Sequence, residues 1–559
     1  MPQSTELQVR PLDRDASMQV GLDLPSCDPM AFGLDEPRFR WPTPYTLYLA
    51  ANRSIRAAVM DSDRFNNLTD ICQASYAAVA SQIERDAMRL VKIALDISHA
   101  RRDGIDLIFD SNESKLAHIL YEADMHRASP SECVASMEPS KDLGLNDQGR
   151  SLDFLRRMRT SAAMALRSGV GRFDLHTNSP LLDELFAAQD LKPTLLRPES
   201  WSWPGTGDCN TSLVALARDL GGELHAIATD LECGQTLANS VGAMLEHIAG
   251  RYLRQAYLMA DHLQCRVGTR RLGSHLVGGS PKALGRLLNW HYSRAGRHVW
   301  RFAHGGDRAF FVDAVWSASE FPYVEQFCAH GAGEAEAIRT RFERGSMPHI
   351  AGPIPRTVTF GSHRHQRIWR LCHDRPTTGL RYGSAPKIIL VAGSFLGEAK
   401  MGTIETRLPD QLVADSQAQL IRILLKRGYE VVVKAHPKGV FTKSPPQIAW
   451  GADVVQGQFD PTAQDADCFL FDYAGSAFFD ALASNKGVVL LNTPNRQIDP
   501  TTRDDLFMRC QVVEARFDAF NRLRVDPDEL VEAVEVARAN NGCPESFARR
   551  YFWPSAELG

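Results

Sequence analysis

Residues 430–439 read EVVVKAHPKG, and this stretch decides the fold of the C-terminal part of the chain. Val431, Val432, Val433 and the partly aliphatic Lys434 are typical of a buried strand. The next histidine is followed by a proline, which lacks a backbone N–H and biases the residue before it toward an extended conformation. The pair therefore ends the strand and presents His436 at the rim of a sheet.

The sequence on both sides of this stretch alternates short β-rich runs with longer helical patterns. The segments KIILVAGSF and DCFLFDYAG each start with an apolar run of strand length. The segments DQLVADSQAQLIRILLKRG and DPDELVEAVEVARAN have helical periodicity. The order strand, helix, strand is typical of a parallel sheet covered on both faces. The sequence thus predicts a doubly wound α/β domain over residues 387–559.

The preceding part of the chain has the same rhythm. We expect an irregular lead-in over 1–40, an α/β domain over 41–355 that is largely helical between 211 and 289, and a linker over 356–386. The strands predicted in the first domain are TPYTLYLAA (43–51), GIDLIFDSN (104–112), FDLHTN, PTLLRP, VWRFAHGGD, YVEQFCAHG and HIAGPIP (349–355).

Composition limits the classes of function. The 559 residues are 44 % apolar and 23 % charged, and their formal net charge of -4 gives no attraction toward a polyanion, so nucleic acid is not an expected partner. The eleven cysteines are scattered without a CxxC pair, which favours reduced thiols. The chain shows no signal sequence and no apolar run long enough for a membrane span. We expect a cytoplasmic protein.

In an open parallel sheet, ligands bind outside the carboxyl ends of the strands. Three such ends carry unusual residues: Gly393-Ser394, His436-Pro437 and the run from Asp472 to Ser476. A histidine at a rim can bind a phosphate, reinforced by Lys434 and Lys438.

Gly475 and Ser476 lie where a strand gives way to a helix beginning near Ala477, and the amides of such a turn form an anion site. The simpler alternative is a plain N-cap, with Ser476 as the capping residue and Asp480 four residues on.

VVVKAHP, followed after one βα unit by GSAFFDAL, resembles the C-terminal domain of bacterial surface-polysaccharide transferases of the GT-B architecture. These include capsule-type 3-deoxy-octulosonate and sialyl transferases and the CDP-glycerol glycerophosphotransferases. FAHGGD (302–307) is similar to a His-Gly element in the first domain of the latter. The resemblance implies two Rossmann-like domains facing a central cleft, with a helical insertion in the first.

The resemblance also implies a division of roles among the residues. His436 would contact the donor phosphate, Ser476 would hold the same phosphate, Asp480 would reach the ribose or support the loop, and Gly393-Ser394 would line the nucleotide pocket. The acceptor needs a general base on the opposite domain. His304 is the first choice and Asp307 the second; further candidates at the ends of first-domain strands are Asp110, Glu113, Asp174 and His176.

Two more clusters have both functional and structural interpretations. Arginines and lysines interleaved with aromatic residues over 266–301 fit either a docking face for an anionic glycan or lipid, with peripheral membrane contact, or a solvated helical face. HRHQRIWRLCH (363–373) offers His363, His365, Cys372 and His373, but their spacing fits no usual zinc pattern. We expect no metal and no resident cofactor.

The predicted function is an inverting, metal-independent glycosyltransferase that moves a sugar from a CMP-activated, nonulosonate-like donor to a surface glycan or another cytoplasmic acceptor. A CDP-polyol phosphotransferase is the second candidate. A UDP-sugar 2-epimerase of the same architecture and a non-catalytic glycan-binding scaffold are the third and fourth.

Overall fold

The structure is a computed structural model of the 559-residue chain. It describes residues 19–21, 29–35, 40–108, 115–137, 173–177, 179–188, 194–196, 207–266, 273–279, 282–312, 314–347, 351–374, 385–393, 408–436, 445–540 and 542–554.

In the part of the chain that the structure describes, the two largest sheets are parallel, have six strands each and pack against helices. The elements of the N-terminal part are, in chain order, β1 (Gln19–Gly21), a 3₁₀ turn (Pro29–Ala31), α1 (Tyr45–Val59), α2 (Ser62–Asn66), α3 (Asp70–Arg102), β2 (Asp106–Ile108), α4 (Lys115–Asp124), α5 (Pro130–Ser136), β3 (Phe173–Thr177), α6 (Pro180–Ala188), β4 (Thr194–Leu195), α7 (Thr211–Asp230), α8 (Gln235–Arg266), β5 (Ser274–Val277), α9 (Ala283–Arg294), β6 (Val299–Phe302), a 3₁₀ turn (Gly306–Ala309), α10 (Ala314–Glu320), β7 (Gln326–Ala329), α11 (Ala332–Glu343) and β8 (Arg356–Thr359).

The elements of the C-terminal part are α12 (His363–His373), β9 (Lys387–Val391), α13 (Asp410–Lys426), β10 (Glu430–Lys434), α14 (Pro446–Ala449), β11 (Asp453–Val455), β12 (Cys468–Phe471), α15 (Ser476–Leu482), β13 (Gly487–Asn492), α16 (Arg503–Arg509), β14 (Gln511–Glu514), β15 (Arg516–Phe517), β16 (Leu523–Arg524), α17 (Pro527–Ala539) and α18 (Glu545–Phe552).

The second sheet has the strand order β11-β10-β9-β12-β13-β14, all parallel. Numbered from its own first strand, this is the order 3-2-1-4-5-6 of a dinucleotide-binding Rossmann domain, whose direction of winding reverses between the first and fourth strands. The reversal lies between β9 and β12. The predicted doubly wound α/β domain is confirmed, including the stop of α13 at Gly428, which has a φ of 82°.

The first sheet has the order β4-β3-β5-β6-β7-β8 and is also parallel. The region 211–289 is largely helical, as predicted, but it also contains β5, a central strand of this sheet. The long helices α3 and α8 pack on each other and share a hydrophobic core with α13 and α17 of the second sheet.

Two predicted strands are wrong. The stretch 43–51 forms the start of α1, because Tyr45, Tyr48 and Ala51 recur with helical spacing and bury one face. The stretch 349–355 is not a strand over its described residues, 351–355; pairing starts at Arg356, since Pro355 has no N–H for the ladder.

The segment expected as a linker, 356–386, contains regular structure. Strand β8 is the last strand of the first sheet, and α12 packs against both α6 and α18. Likewise, the lead-in expected to be irregular includes β1, which pairs with β2.

Candidate functional site

The carboxyl ends of the central strands of the second sheet lie at one edge. Val391 of β9 is in register with Lys434 of β10 on one side and with Phe471 of β12 on the other. Neighbouring strands lie about 4.8 Å apart, so the backbones that follow β10 and β12 are separated by about 10 Å. The residues after these strands, among them Gly393, His436 and Tyr473, therefore share the edge where the winding reverses.

Asp472 links two of these ends. One carboxylate oxygen accepts a hydrogen bond from the Gly393 amide at 2.7 Å, and the other accepts from the Gln417 side chain of α13 at 2.6 Å. Gly393 is required by close approach, since a Cβ there would lie 2.5 Å from the carbonyl oxygen of Tyr473. The structure thus brings Gly393 and Asp472, two of the predicted donor-site residues, into contact. Asp472 fixes the geometry of the loop that follows β9.

The sequence predicts that the charge of Lys434 reinforces His436, but the structure places this side chain elsewhere. Its ammonium group is buried and donates to the carbonyl oxygen of Ala435 at 2.9 Å. Burial lowers the pKa of Lys434 below its ordinary value. His436 is half-buried at the rim of the sheet. Ser394, Pro437 and Lys438 lie outside the described residues.

Helix α15 begins at Ser476, one residue before the expected start. The N-cap residue is Gly475, which has no side chain to cap the helix. The alternative with Ser476 as N-cap is therefore wrong. The helix has seven residues, and few peptide dipoles are aligned behind its first turn. This leaves His436 as the stronger candidate for the electrostatic role expected at this edge.

The first domain approaches this same turn through the loop that contains His304. A Cβ on Gly305 would lie 3.9 Å from the backbone nitrogen of Ser476, and one on Gly306 would lie 2.0 Å from the Phe479 ring of α15. His304 itself is exposed. The candidate base and the strand-to-helix turn, predicted from distant parts of the sequence, are thus adjacent.

Asp307, the second candidate base, is engaged by guanidinium groups. Its carboxylate lies 3.2 Å from Arg496 and 3.5 Å from Arg308. Arg308 in turn pairs with the buried Glu320. Burial alone would raise the pKa of Glu320, but Arg301 and Arg308 lower it to about 2. These contacts favour a role for Asp307 in holding the His304 loop over a role as the general base.

Asp480 is buried, and its carboxylate is already bound by protein groups. Arg364 of α12 donates to both oxygens, at 2.9 and 2.7 Å, and the Nε2 atom of His365 lies 3.2 Å away. Burial by itself would raise the pKa of Asp480, but His365 and Arg364 lower it below its ordinary value. Of the two roles considered for Asp480, these contacts favour support of the loop over contact with a ribose.

His365 also lies 2.7 Å, through its Nδ1 atom, from the hydroxyl of Ser362, so serine, histidine and aspartate follow one another in contact. All three residues are buried. A hydrolytic nucleophile must reach its substrate, so we interpret this chain of contacts as a structural link between α12 and α15.

Of the remaining candidates for the general base, Asp174 and His176 are less suitably placed. Asp110 and Glu113 lie outside the described residues. Asp174 is buried and accepts hydrogen bonds from the Tyr292 hydroxyl at 2.7 Å and the Gly273 amide at 2.8 Å. His176 is on β3, the first sheet's second strand, rather than beside α15.

A small cleft with a cavity volume of about 30 Å³, room for about one or two water molecules, lies at the edge of the second sheet. Its apolar walls and polar groups come from α13 and from the ends of β12 and β13, and the lining consists of Leu408, Asp410, Val413, Ser416, Asp472, Tyr473, Leu491, Thr493, Asn495 and Leu523. The described lining contains two carboxylates and no lysine or arginine, which disfavours a phosphate inside the cleft.

Ser416 is the most informative residue of this lining. It is 4 % exposed, and its hydroxyl has no hydrogen-bond partner among the described residues. A buried hydroxyl without a partner costs free energy that a ligand could recover. Sequence reasoning missed Ser416, although polar residues recur along the otherwise buried face of α13.

The basic stretch 266–301 is partly interior. Arg286 and Arg301 are buried, and Arg286 donates to the carbonyl oxygens of Ala78 and Ser319. Lys282, Arg294 and Arg297 are exposed, whereas Arg270 and Arg271 lie outside the described residues. Among the residues whose side chains are described, these three exposed cations are the ones available to the expected docking face.

Among the described residues, no group of three or more histidine, cysteine or acidic side chains could hold a metal ion. Within the same residues, no helix is both long and apolar enough to cross a bilayer. Ten described cysteines are free thiols.

The fold and site define an α/β protein with two Rossmann-like sheets and a cleft at the carboxyl edge of the second. Comparison of the chain with protein-family models, with curated proteins and with solved structures gave no match in any of the three.

Proposed function

We propose that this protein is a glycosyltransferase of GT-B type that transfers a sugar from a nucleotide-activated donor, with a CMP-linked donor favoured by the resemblance of its motifs. The observation that carries the proposal is the contact of the His304 loop of the first domain with the Gly475-Ser476 turn of the second. A base and a leaving phosphate must lie on opposite sides of the reacting carbon, and these two loops come from opposite domains.

In this proposal the nucleoside lies against the cleft. The apolar walls of the cleft and the unsatisfied hydroxyl of Ser416 suit contact with the edge of a base or a ribose, while its lack of described cations keeps the phosphates outside. In this proposal the phosphates extend along the edge to His436, whose imidazole donates to the departing nucleotide.

His304 then acts as the base that removes the proton from the acceptor hydroxyl as that oxygen attacks the donor sugar. The sugar–phosphate bond breaks, the electron pair leaves with the nucleotide, and the new bond forms with inversion. Asp480, held by Arg364 and His365, keeps α15 in place beneath the reacting groups.

The first experiment is a thermal-shift comparison of CMP, CDP, UDP and GDP. A ligand that binds only the native protein stabilises it by about 2.7 kcal/mol at a hundred times its Kd. We expect CMP to give the largest shift. A preference for UDP would favour the epimerase, a preference for CDP the polyol phosphotransferase, and no shift with any nucleotide would contradict the proposal.

A pair of variants separates the roles of the two histidines. His436→Ala should abolish both the nucleotide shift and turnover, whereas His304→Ala should retain the shift and lose turnover by two to four orders of magnitude, about what general base catalysis contributes. Equal loss of nucleotide binding in both variants would contradict the division of roles.

A further inference from the structure

Arg496 lies in the loop after β13, between the two domains, and its side chain is 3 % exposed. Its Nη1 atom donates to the carbonyl oxygen of Ala474 at 2.8 Å, and its Nη2 atom donates to Asp307 at 3.2 Å. Ala474 directly precedes the Gly475-Ser476 turn, and Asp307 follows His304 by three residues. One guanidinium group therefore binds both loops of the proposed site.

Two aromatic rings fix the plane of this guanidinium group. The Phe311 ring of the first domain lies 4.0 Å from its central carbon, and the Tyr473 ring of the second lies 4.4 Å away. Arginine can stack on rings and donate several hydrogen bonds in one plane, whereas the ammonium group of lysine cannot make this set of contacts together. The geometry is specific to arginine.

The backbone next to Arg496 continues the contact between the domains. Phe311 and Ile498 form an antiparallel bridge, the Val312 amide donates to the carbonyl oxygen of Gln497 at 2.9 Å, and the Asp499 amide donates to that of Phe310 at 2.8 Å. Arg496 lies at the end of this paired segment that is nearest Gly475.

We propose that Arg496 is a positioning residue, which sets the separation between the His304 loop and the Gly475-Ser476 turn without touching the substrate. The inference rests on the proposed function, since it assigns that separation to the distance between the base and the leaving phosphate. A displacement of about 1 Å in such a geometry lowers a rate by about a hundredfold. Arg496 contacts the lining of the cleft through the Tyr473 ring, and lysine keeps the charge, so we expect Arg496→Lys to lower turnover more than nucleotide affinity.

The test begins with amide hydrogen exchange on the full chain without ligand, comparing wild type, Arg496→Lys and the control Arg503→Lys. Arg503 is an exposed residue of α16 in the same domain. Exchange in segments 303–312 and 473–479 should both accelerate at least tenfold in Arg496→Lys and stay unchanged in the control. Acceleration in one segment alone, or in neither, would overturn the linking role.

A second variant, Asp307→Asn, removes the partner instead of the arginine and should accelerate exchange in the same two segments. It also decides the matter if Arg496→Lys does not fold. Because these measurements need no nucleotide, they remain decisive if the nucleotide screen contradicts the proposed transferase.

The kinetic readout completes the test of positioning. With the donor identified by the nucleotide screen, Arg496→Lys should lower kcat ten- to a hundredfold, with the donor KM and the nucleotide thermal shift changed less than threefold. A loss of nucleotide binding, or an unchanged kcat, would overturn the assignment of Arg496 as a positioning residue.

Discussion

Replacing Gly306 by alanine adds one methyl group at a close contact between the domains. The new Cβ would lie 2.0 Å from Cγ of Phe479 and 2.2 Å from both of its Cδ atoms. Carbon atoms approach no closer than about 3.5 Å at ease, so ring and loop must separate by about 1.5 Å. We expect Gly306→Ala to push the His304 loop away from α15.

The Phe479 ring has little freedom to retreat. The rings of His365, Phe552 and His330 lie 4.8, 5.1 and 5.2 Å from it, centroid to centroid. Overpacking a filled core costs about 1 to 3 kcal/mol, and the enclosed ring favours the upper value. With a urea dependence of about 3 kcal/mol per molar, the midpoint of unfolding should fall by about 1 M.

The assay is urea unfolding followed by circular dichroism, with Gly222→Ala as a control of opposite sign. Gly222 is an exposed residue within α7, and a Cβ there would meet no atom within 4 Å. Alanine in a helix interior is favoured over glycine by about 1 kcal/mol, so this control should gain stability. A Gly306→Ala midpoint equal to that of wild type would refute the contact between the domains and, with it, the adjacency of His304 and Ser476.

Three further predictions concern buried groups. His275 is fully buried, and burial, with the charge of His176, lowers its pKa to about 3. Between about pH 6.5 and pH 3 this histidine is therefore protonated in the unfolded chain but not in the folded one. The free energy of unfolding of wild type should fall, relative to that of His275→Phe, by up to about 1.4 kcal/mol per pH unit as the pH is lowered through this range. Parallel pH profiles of urea stability would contradict this. Asp480→Asn, which removes the carboxylate bound by Arg364, should cost about 2 to 3 kcal/mol in urea unfolding, whereas the control Asp528→Asn, at an exposed surface pair, should change stability by less than about 0.5 kcal/mol; equal effects would show that the buried pair is not coupled. Ser416→Val removes an unsatisfied buried hydroxyl and should raise stability by about 1 kcal/mol while weakening the nucleotide thermal shift; a stronger shift would contradict the assignment of the cleft.

The second domain can be predicted from the sequence because its signals are local. Apolar runs of strand length, the glycine after α13 and the proline after His436 each act within a few residues, and their alternation with helices implies a parallel sheet. Because the carboxyl ends of parallel strands share one edge, the sequence also predicts that Gly393, His436 and Asp472 lie together, and the register of three neighbouring strands places them at one edge.

Other features depend on contacts between distant segments, which a single sequence does not reveal. The start of α1 is predicted as a strand because TLYL is apolar enough for either element, and its burial by packing on α3 decides for the helix. The pairing of Asp480 with Arg364 joins residues far apart in the chain. The sequence alone therefore does not show that this carboxylate is already bound by protein groups rather than available to a ligand. The role of Arg496 cannot be predicted from the sequence, because an arginine after a strand is common and its partners lie in distant segments.

The return of α18 to the first domain has a consequence for biosynthesis. The backbone of Gly331 lies so close to Tyr551 that a Cβ would be 2.3 Å from its carbonyl carbon, and the Tyr551 ring covers Gly333 in the same way. Domains made early in translation commonly fold before the ribosome has finished. Here the surface around Gly331 must stay uncovered until the last helix emerges, so a nascent chain paused before residue 545 should hold a first domain that chaperones still recognise.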